Sequence, residues 1–184
     1  VFSELPKLLE RAGPGVEGTG NITGLFTVLV EGDDLNEPIS DAVRGIIDGH
    51  IVLGRSIADR GRYPAIDVLK SVSRMMPDCN TQKENEIVVR ARGLMASYEQ
   101  MADMIRLGAY RRGSDPVLDE AIKHYPALEK FLAQEKNERA DIEEGYSVLA
   151  SILEINDADD GAEFEDLELN NESPIHEATI LNDS

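Results

Sequence analysis

The sequence predicts an α/β half, a three-helix half and an acidic tail, and three observations carry that division. Apolar, β-branched runs of strand length alternate with short helical patterns as far as Asp78. From Thr81 to Leu153 the apolar positions instead follow the 3.6-residue period of helices. From Glu154 to Ser184 there are 11 acids and no base in 31 residues. The units are drawn at 1–79, 80–155 and 156–184.

Each element has its own signal. Phe2, Leu5, Leu8, Leu9 and Ala12 stand at helical spacing, with Ser3 placed to cap. Gly13, Pro14, Gly15, Gly18 and Gly20 make a loop with the character of a hairpin tip. Ile22 to Val30 is nearly continuous in apolar residues, which predicts a strand covered on both faces in a parallel sheet. The acids Glu31, Asp33 and Asp34 follow it, at the carboxyl end where such sheets bind ligands. Pro38 suits the first turn of a short helix whose Ile39, Ala42, Val43 and Ile46 face inward. His50 to Leu53 reads as a second buried strand, and Arg55 to Arg62 as one or two helical turns. Tyr63 precedes a proline and should be extended. Val68 to Met76 is a further apolar stretch, stopped by Pro77.

The helical half is plainer. Ile87, Val88, Ala91, Leu94, Met95, Tyr98, Met101, Ala102 and Ile105 form one stripe between Thr81 and Gly108. Ser114-Asp115-Pro116 opens a second helix with the stripe Val117, Leu118, Ala121, Ile122, Tyr125, Leu128, Phe131 and Leu132. Glu138 to Leu153 supplies the third through Ile142, Tyr146, Leu149, Ala150 and Leu153. The tail carries too much charge and too few hydrophobes to offset its ordering entropy, so it is expected to be disordered.

Composition excludes several functions. The 184 residues hold 18 Lys and Arg against 36 Asp and Glu, a formal charge of −18. That balance argues against nucleic acid gripped by a basic stripe and against docking on anionic lipid. Apolar runs fall well short of the ~20 residues that span a bilayer. A single cysteine, Cys79, leaves no internal disulfide and suits a reducing cytosol. The three histidines, His50, His124 and His176, have no metal-ligand spacing. Neither G-x-x-x-x-G-K-[ST] nor G-x-G-x-x-G occurs. The chain opens Val1-Phe2-Ser3 without Met and without a visible signal peptide, and reads as a piece of something longer.

Three places carry candidate chemistry. Arg74, in a serine-flanked segment after strands, reads either as an ion-pairing structural arginine or as an arginine finger for a transferring phosphoryl group. Tyr63 is either half-buried beside its proline or free to stack on a base. Asp33 and Asp34 either cap the turn before Pro38 or position a metal or water.

The string TVLVEGDDLNEPISDAVRGIIDGHIVLGRSIADRGRYPAIDVLKSVSRMMPD narrows these alternatives. It resembles the hexameric rotary-type ATPases of flagellar and type III protein export, similar in turn to the alpha and beta subunits of F-type ATP synthases. LGAYRRGSDPVLDEAI and ERADIEEGYSVLASIL look like the flagellar branch in particular. The resemblance runs from Val1 to about Leu153. It implies a truncated RecA-like nucleotide-binding domain followed by a carboxy-terminal helical bundle.

For the residues, the resemblance implies that Arg74, in the SVSR motif, reaches across a subunit boundary to phosphates held by the neighbour. Tyr63, before PAID, would pack on adenine, with Tyr110 the candidate to complete that pocket. Asp33 and Asp34 would be structural. ATP and Mg2+ are the implied substrate and metal, yet the phosphate loop, the water-polarising glutamate and the Mg2+-holding aspartate would lie before Val1. So would the amino-terminal β-barrel. Nothing in the family pattern corresponds to the tail. The implied setting is a cytoplasmic homohexamer at the inner face of the bacterial membrane, with peripheral membrane association allowed. Its implied partners are stalk or regulator proteins, export chaperones and substrates. Two other readings remain open: a non-catalytic helical binding module, and a subunit of an F- or V-type synthase.

Overall fold

The computed structural model describes residues 4–30 and 38–155. Asp33, Asp34 and the tail from 156 onward lie outside these described residues. The elements run α1 (Glu4–Leu9), α2 (Pro38–Ile46), β1 (Gly49–Leu53), α3 (Arg55–Asp59), β2 (Ile66–Ser73), α4 (Gln82–Arg106), α5 (Pro116–Phe131) and α6 (Ile142–Ile152).

The only sheet among the described residues is two-stranded and antiparallel, β1 against β2. This corrects the expected parallel sheet. The reason is local: Gly54 N donates to Ala65 O at 2.8 Å, so the connection carrying α3 returns the chain directly beside β1. Pairing runs Gly49–Ser73 and His50–Val72, then resumes at Val52–Asp67 and Leu53–Ile66. Val68 to Ser71 therefore bulge out of the ladder opposite Ile51. Nor is β1 buried as expected, since Ile51 and Leu53 are exposed.

Ile22 to Val30 departs further from expectation. Gly13 and Ile22 exchange both backbone hydrogen bonds, as a hairpin tip requires, but residues 23–30 are not a strand. Leu25 is 94% and Leu29 93% exposed. A strand needs a ladder partner, and the described residues offer this segment none beyond Ile22. Beside it, Leu9 of α1 and Val43 of α2 are buried; Ala42 and Ile46, expected inward, are exposed.

The helical half follows its sequence signals closely. Thr81 and Glu84 form a capping box: Thr81 Oγ1 accepts from Glu84 N, and Glu84 Oε2 accepts from Thr81 N at 2.7 Å. At the other end of α4, Gly108 has φ +68°, a conformation glycine adopts without penalty. There Gly108 N bonds Ile105 O, and Ala109 N bonds Met104 O. Asp115 caps α5 by accepting from Val117 N and Leu118 N, with Pro116 at the first position. The third helix starts later than expected, because Asp141 takes the N-cap and accepts from Glu143 N at 2.9 Å. Residues 138–140 stay outside it. Ile142 and Val117, placed in the stripes by period, are exposed at helix starts.

The core is shared by three helices. Ile87, Ala91, Leu94 and Met95 from α4 meet Leu118, Ala121 and Leu128 from α5 and Leu149 of α6, closed by Leu153 just past its end. Val68 and Leu69 from the β2 bulge pack on the same cluster, which fastens the sheet to the bundle. Leu128 is 1% exposed. Leu128→Ala should lower the unfolding free energy by about 3 kcal/mol. Leu107→Ala, at an exposed site, should change it by less than about 0.5 kcal/mol. Urea denaturation of both variants checks the contrast.

Candidate functional site

Arg74 is the first residue past β2. Its backbone N donates to Asp48 O at 2.7 Å, continuing the sheet one step beyond Gly49–Ser73. Its Nη2 donates to Arg44 O at 2.9 Å, in the last turn of α2. Carbonyls there carry the negative end of the helix dipole, so a cation is well placed. The side chain is otherwise solvent-facing, and a guanidinium has five N–H donors in a fixed fork. No carboxylate is paired with it among the described ion pairs. The arginine is thus exposed, held at one point and rich in donors.

Tyr63 sits on the turn leading into β2, and the residue is 60% exposed. The turn is tied from every side. Arg62 N donates to Ile57 O, Gln134 N donates to Tyr63 O at 2.8 Å, and Gly54 N holds Ala65 O. Arg62 Nη2 donates to Ile66 O at 3.0 Å, closing the turn across its base. An exposed ring on a tethered turn is a stacking platform in form.

Tyr110 lies elsewhere. Its hydroxyl donates to Asp115 O at 3.1 Å and Asp119 Oδ1 at 3.0 Å, both at the start of α5. Asp119 Oδ2 accepts from Gly113 N, so Tyr110 and Asp119 together order the loop before α5. Tyr63 is tied beyond the other end of that helix, whose 16 residues run about 24 Å. The contacts of Tyr63 and of Tyr110 thus lie at opposite ends of α5.

The structure brings forward residues that the sequence did not single out. A cavity of about 240 Å³ lies where α3, β2, α4 and α5 meet, lined by Ser56, Ile57, Met95, the β2 residues Asp67, Val68, Leu69 and Lys70, and the charged side chains of Arg60, Arg62, Glu99 and Glu129. Arg62 Nε lies 3.1 Å from Glu129 Oε2, with the arginine side chain only 7% exposed. Arg60 stands 3.8 Å from Glu99 in a more exposed pair. Tyr125 stacks on Tyr98 at 3.6 Å and donates to Glu99 Oε1 at 2.6 Å. Burial raises the Tyr125 pKa first, and its bond to Glu99 and the charge of Glu129 raise it further. Arg92 of α4 donates to the carbonyls of Val68 and Leu69 in the β2 bulge. Only Asp67 had a local signal: its Oδ1 accepts from Leu69 N and Lys70 N, the turn that aspartate favours. Arg62, Arg92, Glu129 and Gln134 are identified only by partners distant in sequence.

Comparison with known proteins meets this geometry. Residues 1–73 match the model of the ATP synthase alpha/beta family nucleotide-binding domain, and residues 80–151 that of the type III secretion EscN ATPase C-terminal domain. A flagellum-specific ATP synthase of Caulobacter vibrioides is 57% identical over 159 residues, covering 84% of this chain and 36% of the relative. The assembled ATPase EscN of the enteropathogenic E. coli type III secretion system superposes with a TM-score of 0.78 at 41% identity, over 83% of this chain and 36% of EscN. EscN in complex with its central stalk EscO gives 0.73 at 39% identity, over 83% and 35%. The chain spans about a third of the length of the curated relatives it matches.

The Tyr125 environment makes an alkaline prediction. The folded pKa lies above the unfolded value of about 10. Its contribution to stability is therefore full below pH 10 and lost as pH rises, because the unfolded chain releases the proton first. Urea midpoints at pH 9, 10 and 11 should fall more steeply for the parent sequence than for Tyr125→Phe. Parallel declines would remove Tyr125 from this account.

Proposed function

This chain belongs to the ATP synthase alpha/beta family through its flagellar and type III secretion branch, and on that premise we propose that it is the carboxy-terminal part of a protein-export ATPase. The parent hydrolyses ATP in a homohexameric ring in the cytoplasm, at the inner face of the bacterial membrane. In that ring Arg74 acts in trans. The observation that carries this reading is the exposed guanidinium of Arg74, anchored on the last turn of α2 by one hydrogen bond to Arg44 O.

The chemistry asks for such a group. Hydrolysis breaks the bond between the β–γ bridging oxygen and the terminal phosphorus while water adds to that phosphorus. Negative charge shifts toward the leaving oxygen, and an arginine supplied from a neighbour stabilises it. The fork of Arg74 meets phosphate oxygens of the nucleotide bound by the adjacent subunit, with two parallel N–H donors available. Tyr63 offers its exposed face to the adenine of its own subunit's nucleotide. Tyr110 keeps the loop before α5 in shape.

This chain covers only part of that reaction. No group of three His, Cys, Asp or Glu side chains converges among the described residues. The Mg2+ that accompanies the nucleotide would neutralise phosphate charge when bound. The EscN–EscO complex supports the further reading that a stalk protein docks on the assembled ring. Export chaperones and substrates complete the proposed partners. Among the described residues no helix is long and apolar enough to cross a membrane.

Two measurements test the proposal. In the full-length ATPase, Arg74→Ala should cut hydrolysis by about 10³-fold or more while the subunit still folds. Mixing Arg74→Ala subunits with subunits that lack the phosphate-loop lysine should recover part of the activity, since a finger in trans needs only one competent partner on each side. Near-normal turnover in the single variant would sink the assignment. The 184-residue chain alone should show no hydrolysis above background.

A further inference from the structure

Tyr63 is held by residues that are far from it in sequence. Its carbonyl accepts from Gln134 N, two residues past the end of α5 and its cap Leu132. Its predecessor Arg62 turns its side chain inward, is 8% exposed, and places Nε 3.1 Å from Glu129 Oε2 on the last turns of α5. The same guanidinium closes the turn at Ile66 O. One arginine therefore performs two tasks at once: it staples the turn that carries Tyr63, and it docks that turn on the helical unit. The Tyr63 ring itself stays exposed, with no side-chain hydrogen bond among the described residues to orient it. The pose of the ring is inherited from the backbone beneath it.

We infer that Arg62 and Glu129 are positioning residues for Tyr63, so that a side chain of the helical unit determines how well the α/β unit holds a purine base. This rests on the reading of Tyr63 as an adenine platform. A purine is the ligand class the platform fits, because a flat exposed ring with no polar partner recognises a π face and little else. Glu129 touches neither base nor phosphate in this account. Its carboxylate compensates the charge of the buried Arg62 guanidinium, whose hydrogen bond to Ile66 O holds the turn.

The test separates positioning from general stability. Glu129→Gln keeps the side-chain shape and removes the charge. In the 184-residue chain, amide exchange of Gln134 should speed up by about tenfold in this variant, with Leu107 N at the far end of α4 unchanged as a control. Unchanged exchange at Gln134 would overturn the inference. In the full-length ATPase, KM for ATP should rise about tenfold with kcat held within about twofold, the loss expected for one base–aromatic stack. Tyr63→Ala should do the same, and the double variant should be no worse than either single one. Additive effects on KM would also overturn the positioning role. Glu129→Asp, which keeps the charge, should retain most of the affinity and serves if Glu129→Gln folds poorly. If Tyr63→Ala leaves KM unchanged, the adenine reading has failed, while the exchange measurement still decides whether Glu129 positions the turn.

Discussion

The bulge in β2 governs how the two halves of this molecule meet. Between the His50–Val72 and Val52–Asp67 pairs, Val68 to Ser71 have no ladder partner. Backbone N–H and C=O groups removed from a ladder must find other partners. Asp67 Oδ1 takes the N–H groups of Leu69 and Lys70, and Ser71 Oγ bridges from Val52 N to Asp67 O. The carbonyls of Val68 and Leu69 have no such local solution. Arg92, in the third turn of α4, answers them. The bulge also turns the side chains of Val68 and Leu69 onto the core of the bundle. Polar demand and apolar burial thus select the same docking.

From that fixed strand the proposed nucleotide contacts hang at opposite ends. Arg74 follows the last residue of β2 and leans on α2, an element of the α/β unit. Tyr63 precedes the first residue and leans on α5, through Gln134 and the Arg62–Glu129 pair. The group for the neighbour's phosphates and the group for the subunit's own base therefore have separate supports. A disturbance in the helical unit reaches Tyr63 before it reaches Arg74.

Legibility followed the range of the interactions. The helical half was readable because its signals are local: Thr81 with Glu84, Asp115 with Pro116, and Gly108 at a positive φ all act within a few residues. The α/β half was misread where apolarity stood in for partners. Ile22 to Val30 has the composition of a buried strand, but composition does not supply the neighbouring strands that burial needs. Arg74 and Tyr63 were candidates from their local context, with roles narrowed by motif resemblance, whereas Arg62 lay inside what looked like a helical turn. Its importance comes from Glu129, 67 residues on, and no spacing rule anticipates such a pair. Tyr110 likewise gave no local sign that its hydroxyl bonds Asp115 O and Asp119 Oδ1.

The Arg62–Glu129 pair is a poor device for stability alone. Desolvating two charges costs about as much as their attraction returns, and well-packed apolar residues of similar volume often hold such a place as firmly. An apolar residue at this place, however, could not donate to the backbone carbonyl of Ile66. Arg62 Nη2 donates to Ile66 O, whereas Nε meets Glu129 as an ion pair without a hydrogen bond, so the directional hold on the turn comes from Ile66 O and Glu129 supplies the charge that keeps the buried guanidinium there. The neighbouring Arg60–Glu99 pair is longer and more exposed. Of the two arginines that flank Gly61, the buried one has the geometry to set the direction of the ring that follows it. The exposed one contributes charge to the rim of the cavity and little more.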